Sequence, residues 1–106
     1  MPKYLVQATY TAEGMKGLLA EGGSGRKAAV EQVLTSCGGT LEWMYFALGE
    51  RDLYAVIDLP DEVTMAATVM AVRATGTVLS TAVPLLSVAD IDAAARTQVD
   101  FRPPGA

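Results

Sequence analysis

"FALGERDLYAVIDLPDE", residues 46–62, decides how the chain is folded. Gly49, Glu50 and Arg51 alone separate two apolar runs, "TLEWMYFAL" from Thr40 to Leu48 and "DLYAVIDL" from Asp52 to Leu59. Both runs are rich in β-branched and aromatic residues and read as strands. So short a connection predicts an antiparallel hairpin, with glycine supplying the backbone angle that other residues resist. Pro60 stops the second of these strands, and Asp61 is placed to cap a helix from Glu62 to about Thr75. Val63, Ala66, Ala67, Met70 and Ala74 recur there at helical spacing.

The flanks complete a pattern. "KYLVQATYT", Lys3 to Thr11, reads as a strand, and Glu13 to Ala20 as a short helical turn loosened by two glycines. "EGGSGRK" breaks the chain, and Ser24 is expected to cap a helix over about Gly25 to Ser36 whose apolar face is Ala28, Ala29, Val33 and Leu34. "CGG" ends that helix because glycine adopts the left-handed cap cheaply. After Gly76, "TVLSTAVPLL" is a fourth strand, and Ser87 opens a last helix to about Arg96. The order is strand, helix, strand, strand, helix, strand, with an extra C-terminal helix. This predicts an α+β, ferredoxin-like β-α-β-β-α-β domain over residues 1–96, built on a four-stranded antiparallel sheet, and a flexible tail over 97–106.

Strict alternation puts Leu41, Trp43 and Tyr45 on one side of the second strand and Met44, Phe46 and Leu48 on the other. The third strand repeats this, with Leu53, Ala55 and Ile57 opposite Tyr54 and Val56. Two apolar faces need two covers. Helices supply one, and a second copy of the chain is the expected other, giving a homodimer or higher homo-oligomer.

Composition narrows the function. The 106 residues are 51% hydrophobic and 19% charged, an apolar balance for so small a domain, and again point to self-association. The net charge of -4 and the scattered cations exclude nucleic acid as an expected partner. No apolar run is long enough to span a bilayer, and no signal-peptide pattern opens the chain, so a cytoplasmic protein without a membrane partner is expected. The single cysteine, Cys37, fits a reducing compartment. With no histidine, the imidazole base, the common nucleophilic triads and histidine-ligated heme or metal are ruled out. No cofactor and no metal site are expected: Asp58, Asp61 and Glu62 lack the spacing of a calcium loop.

With these elements placed, the chain resembles the GYD domain family of small bacterial and archaeal proteins. The likeness rests on "MPKYLV", on "CGGTLE" before an aromatic strand, on "ALGERDLYAVIDLPDE", and on the Gly-Thr-Val opening of the last strand. The family signature is Gly, any residue, Tyr, Asp; Gly49 and Asp52 match it, while Arg51 stands where tyrosine is usual. The resemblance implies a dimeric α/β barrel, a superfamily that includes cofactor-free monooxygenases, heme proteins and plain dimeric modules. In such barrels the ligand cavity lies between sheet and helices.

Two candidate sites follow. Tyr10, Trp43, Tyr45 and Asp52 are the candidate ligand-binding residues, three aromatic rings for a flat organic molecule and a carboxylate at the pocket rim. Asp52 has a second reading, as a turn residue whose carboxylate bonds backbone amides and fixes strand register. Ser24, Gly25 and Arg26 form a candidate anion site, because a glycine loop entering a helix presents free amides beside a cation. The plain alternative there is a loop and a cap. The expected function is a homo-oligomeric module that binds a small organic molecule between sheet and helices. The alternative is a cofactor-independent, monooxygenase-like enzyme acting on an aromatic or quinone-like substrate.

Overall fold

In the computed structural model, which describes residues 1–106, the chain runs β1 (Lys3–Tyr10), α1 (Ala12–Ser36), β2 (Thr40–Phe46), β3 (Leu53–Asp58), α2 (Glu62–Ala74), β4 (Val78–Leu85) and α3 (Val88–Arg96). The four strands form one antiparallel sheet in the order β2-β3-β1-β4, the ferredoxin-like arrangement expected from the element order. α1 lies over β2 and β1, and α2 over β4, so both helices cover the same face. The core between them and the sheet centres on Tyr4, Ala8, Leu34, Leu53, Ala55, Ile57 and Leu59.

Local chemistry explains where the elements stop. Cys37 caps α1, Gly38 takes φ 76°, and the Gly38 and Gly39 amides donate back to the Thr35 and Leu34 carbonyls at 3.1 and 2.8 Å. These paired bonds form a Schellman cap, as "CGG" predicts. Asp61 caps α2 by accepting the Thr64 amide at 2.8 Å. Ser87 and Asp90 exchange side-chain and backbone hydrogen bonds, both 3.0 Å, at the start of α3.

Four expectations are corrected. The expected short turn and separate helix form one element with a kink at Gly22, whose φ of 72° and ψ of 175° interrupt the helical backbone. The extended ψ at Gly22 takes the position before the second piece, so Ser24 lies inside that piece and does not cap it. In the hairpin, β2 ends at Phe46 and β3 begins at Leu53, a longer connection than expected. The left-handed residue in it is Leu48, φ 53°, and not Gly49.

α2 differs too, being apolar nearly all round. The stripe Met65, Thr68, Val69 and Val72 faces the sheet, whereas Val63 and Met70 of the expected stripe point to solvent.

The sheet departs from strict alternation as well. Leu41 lies opposite Ile57, yet Trp43 lies opposite Val56, so two residues of β2 advance for one of β3 and Glu42 forms a β-bulge. The bulge reverses the alternation. Leu41 therefore joins Met44 against the helix-covered core, while Trp43 and Tyr45 lie with Tyr54 and Val56 on the open face.

Lys3 stands on that open face, where its ammonium meets Glu42 at 2.9 Å and Asp58 at 3.0 Å. Those hydrogen bonds hold its pKa above the usual lysine value. The bulge thus places a carboxylate where Lys3 can reach it.

At the other end of the sheet the start of α1 touches the backbone just before β4. Thr11 donates its amide to Thr77 O at 3.0 Å, and a side chain at Gly14 would overlap the Thr77 carbonyl. The Gly14→Ala variant is expected to lose about 1–3 kcal/mol in a urea titration, because backbone cannot retreat as a flexible side chain can.

The Thr64 amide holds the Asp61 carboxyl below the usual carboxylate range. Its folded pKa being depressed, the stabilisation is complete above the unfolded value of about 3.9 and is lost as pH falls through the folded value. Asp61→Ala is therefore expected to lower the thermal midpoint near pH 6, and the gap to the parent should narrow as the pH is taken down to about 2.

Candidate functional site

Small side chains on the helix-covered face make room for a cleft. Ala8 of β1, Ala55 of β3 and Ala82 of β4 form its floor, and Ala29, Val30, Val33 and Leu34 of α1 face Met65, Val69 and Val72 of α2 across it. Its volume is about 150 Å³, and the lining is aliphatic apart from Tyr10, Arg26, Thr68 and Ser80. A dry apolar space of about this size accepts a benzene-sized ring.

Tyr10 and Arg26 stand at the end of the cleft nearest the Gly22 kink, and Thr68 lies toward the other end, beside Cys37. Burial pushes the Tyr10 phenol above the usual tyrosine range; the Arg26 guanidinium opposes this shift, and the Glu21 and Asp52 carboxylates reinforce it. Arg26 Nε lies 3.2 Å from Glu21 Oε1, an ion pair whose N–H is not aligned into a hydrogen bond. The kink at Gly22 brings this pair to the cleft, since it sets Arg26 one turn beyond the break in α1.

Asp52 has a structural task. Its amide donates to Ala8 O at 2.9 Å, and its carboxylate accepts the Tyr10 amide at 2.8 Å. The β3 ladder ends at Leu53, so the carboxylate supplies the acceptor that a further strand residue would have offered to Tyr10. Arg51 points elsewhere and donates to Gln7 Oε1 at 3.3 Å. Arg51 and Asp52 therefore bind β1 at two points and not each other.

The four candidate ligand residues are not brought together. Tyr10 lines the cleft, and Asp52 holds its backbone. Trp43 and Tyr45 sit on the far face of the sheet with ring centroids 5.7 Å apart and planes at 54°, separated from Tyr10 by the sheet because the bulge at Glu42 reversed their side. Ser24, Gly25 and Arg26 do follow a helical start, at Gly22, and the Glu21 carboxylate already stands beside the Arg26 cation.

Reading the sequence missed Val30, Met65, Thr68, Val69 and Val72 as lining residues. Met65, Val69 and Val72 recur at i, i+4 and i+7, a signal as regular as the stripe preferred for α2. Tyr4, fully buried in the core, keeps its hydroxyl from solvent with no hydrogen-bond partner. Cys37 Sγ lies 3.8 Å from Thr68 Oγ1, where α1 ends beside α2.

The Asp52 geometry predicts a stability effect. Asp52→Ala should cost roughly 1.5–3 kcal/mol in chemical denaturation by orphaning the Tyr10 amide, and Asp52→Asn, which keeps an acceptor, should recover most of it.

No helix is long and apolar enough to cross a membrane. Compared with known proteins, the chain matches no curated protein and no solved structure at a significant level. The family model described as GYD domain matches residues 4–95, most of the chain, and the protein belongs to that family.

Proposed function

Starting from membership of the GYD domain family, we propose that the protein is a homodimeric small-molecule-binding module. Its ligand is a compact apolar or aromatic molecule held in the cleft between the sheet and the α1 and α2 helices. The observation that carries this reading is the cleft itself, about 150 Å³ over a floor of alanines. A fitting apolar ligand would take the aliphatic lining of the cleft out of water. Tyr10, Arg26 and Thr68 supply a few polar atoms at the wall, enough to orient a ligand in a largely hydrophobic site.

Binding is favoured over catalysis by the state of the polar groups. The Tyr10 phenol is shifted away from neutral pH, the wrong direction for a general base. The Asp52 carboxylate is committed to the Tyr10 amide.

Dimerisation is supported by the open sheet face. Trp43, Tyr45, Leu79, Val83 and Leu85 lie exposed on it, Tyr45 at 68%. A contiguous apolar surface of this kind is characteristic of an interaction site. The occupant proposed is a second copy, laid face to face about a two-fold axis, because each copy carries the same uncovered surface.

Titration with 1-naphthol, followed by ¹H–¹⁵N correlation spectra, tests the cleft. Expected are saturable shifts at Val30, Ala55 and Val72 with Trp43 unmoved, and their loss in Val30→Trp, which fills the space. Shifts confined to Trp43 and Tyr45, or none in the parent, would overturn the cleft reading.

A further inference from the structure

α3 makes no extended contact with any other element of its own chain. The molecule measures 56 × 33 × 23 Å, with a radius of gyration of 17.0 Å. A compact chain of this length has a radius of about 13 Å. Every residue from Val83 to Ala106 is exposed, so the C-terminal arm that carries α3 is not packed into the body of the domain.

That arm is amphipathic. Val88, Ile91 and Ala95 recur at i, i+3 and i+7 on one side of α3, opposite Asp90 and Ala93. Val88 is 82% exposed and Ile91 53%, and beyond the helix Val99 and Phe101 are exposed as well. Isolated helices shorter than about 12 residues are marginal in water. α3 has nine, held at its start by the Ser87–Asp90 capping box and with no seat of its own.

The geometry points to a second copy of this chain as that seat: we propose that the α3 arms are exchanged across the dimer, each packing its Val88–Ile91–Ala95 stripe on the partner. The inference rests on the face-to-face dimer proposed above. Two observations select this occupant. First, arm and open face are continuous, since Leu86, Ser87 and Asp90 border one cleft with Lys3, Trp43 and Val56. A sheet laid on the open face therefore meets the root of α3.

Second, the sheet alone is too small. Four strands about 4.8 Å apart and about 24 Å long offer roughly 450 Å² per copy, or about 900 Å² in a pair, against about 1,200–2,000 Å² for a stable interface. A nine-residue helix about 13 Å long and 10 Å wide covers roughly 130 Å², and two arms with their two seats bring the total to about 1,400 Å².

The test uses the full chain. Sedimentation equilibrium should give a dimer for the parent, and Ile91→Asp should raise the dimer dissociation constant at least about tenfold, since one substitution removes two apolar contacts. Ile91 is exposed within its own chain, so the variant is expected to keep its circular dichroism spectrum and thermal transition when monomeric. In parallel, Cys37→Ser/Ala93→Cys chains carrying a spin label on the outer side of α3 are mixed with ¹⁵N-labelled parent chains. Broadening of sheet amides in the unlabelled-cysteine partner is the expected result.

A dimer in which Ile91→Asp changes nothing and no intermolecular broadening appears would overturn the arm exchange while leaving the face-to-face dimer standing. A parent chain that sediments as a monomer at every concentration would overturn both.

Discussion

A four-stranded sheet with apolar side chains on both faces has to be covered twice, and this chain carries helices for one face. Only 11 of 106 residues are buried, and they cluster on β1 and β3, the two central strands, and beneath the helices. The same constraint accounts for Val56, which points to the open face and is nevertheless 6% exposed: its neighbours on β1 and β2, Leu5 and Trp43, shield it. Further from the centre the shielding fails, and Tyr45 and Leu79 stand in solvent. Whatever the protein does is done by a molecule whose surface on this side is built as an interior.

The bulge at Glu42 distributes the aromatic residues between the two faces. Without it, Trp43 and Tyr45 would crowd the space under α1, and Met44 would face out. With it, the helix side receives Met44 and the small residues of the central strands, which leaves the cleft open. The large rings go to the open face, where they add apolar area that a partner can bury. One extra residue thus contributes to both the cleft and the second surface. Lys3 secures the arrangement by bridging Glu42 and Asp58, one from each strand of the bulged pair.

How much of this was legible in the sequence depends on the range of the interaction that decides each feature. Capping residues and glycines act within a turn, and Asp61, Ser87 and the glycines after Cys37 do what local chemistry says they should. The hairpin of "FALGERDLYAVIDLPDE" placed β2 beside β3 for the same reason. Faces were harder. Strict alternation cannot reveal a bulge, because the extra residue is defined by register against β3, not by β2 itself. In α2 two apolar stripes share one helix, so periodicity alone cannot choose the one that meets the sheet. Asp52 was legible as a turn residue, but its carboxylate acts across 42 residues on β1, which no local pattern contains.

The cleft and the Asp52 anchor also share a boundary. The β3 ladder stops short of Tyr10 and a carboxylate fills in, so the end of the sheet beside Tyr10 is closed by a side chain instead of a strand. The chain is then free to turn into Arg51, whose side chain reaches Gln7 on the opposite face. Residues 51 and 52 tie β1 from both sides of the sheet at the end of the cleft where Tyr10 stands. A change in the hairpin therefore reaches the cleft through Tyr10, whose backbone is fixed by Asp52 and whose phenol pKa is raised by burial. That connection gives the hairpin a structural reason to matter to a ligand it does not touch.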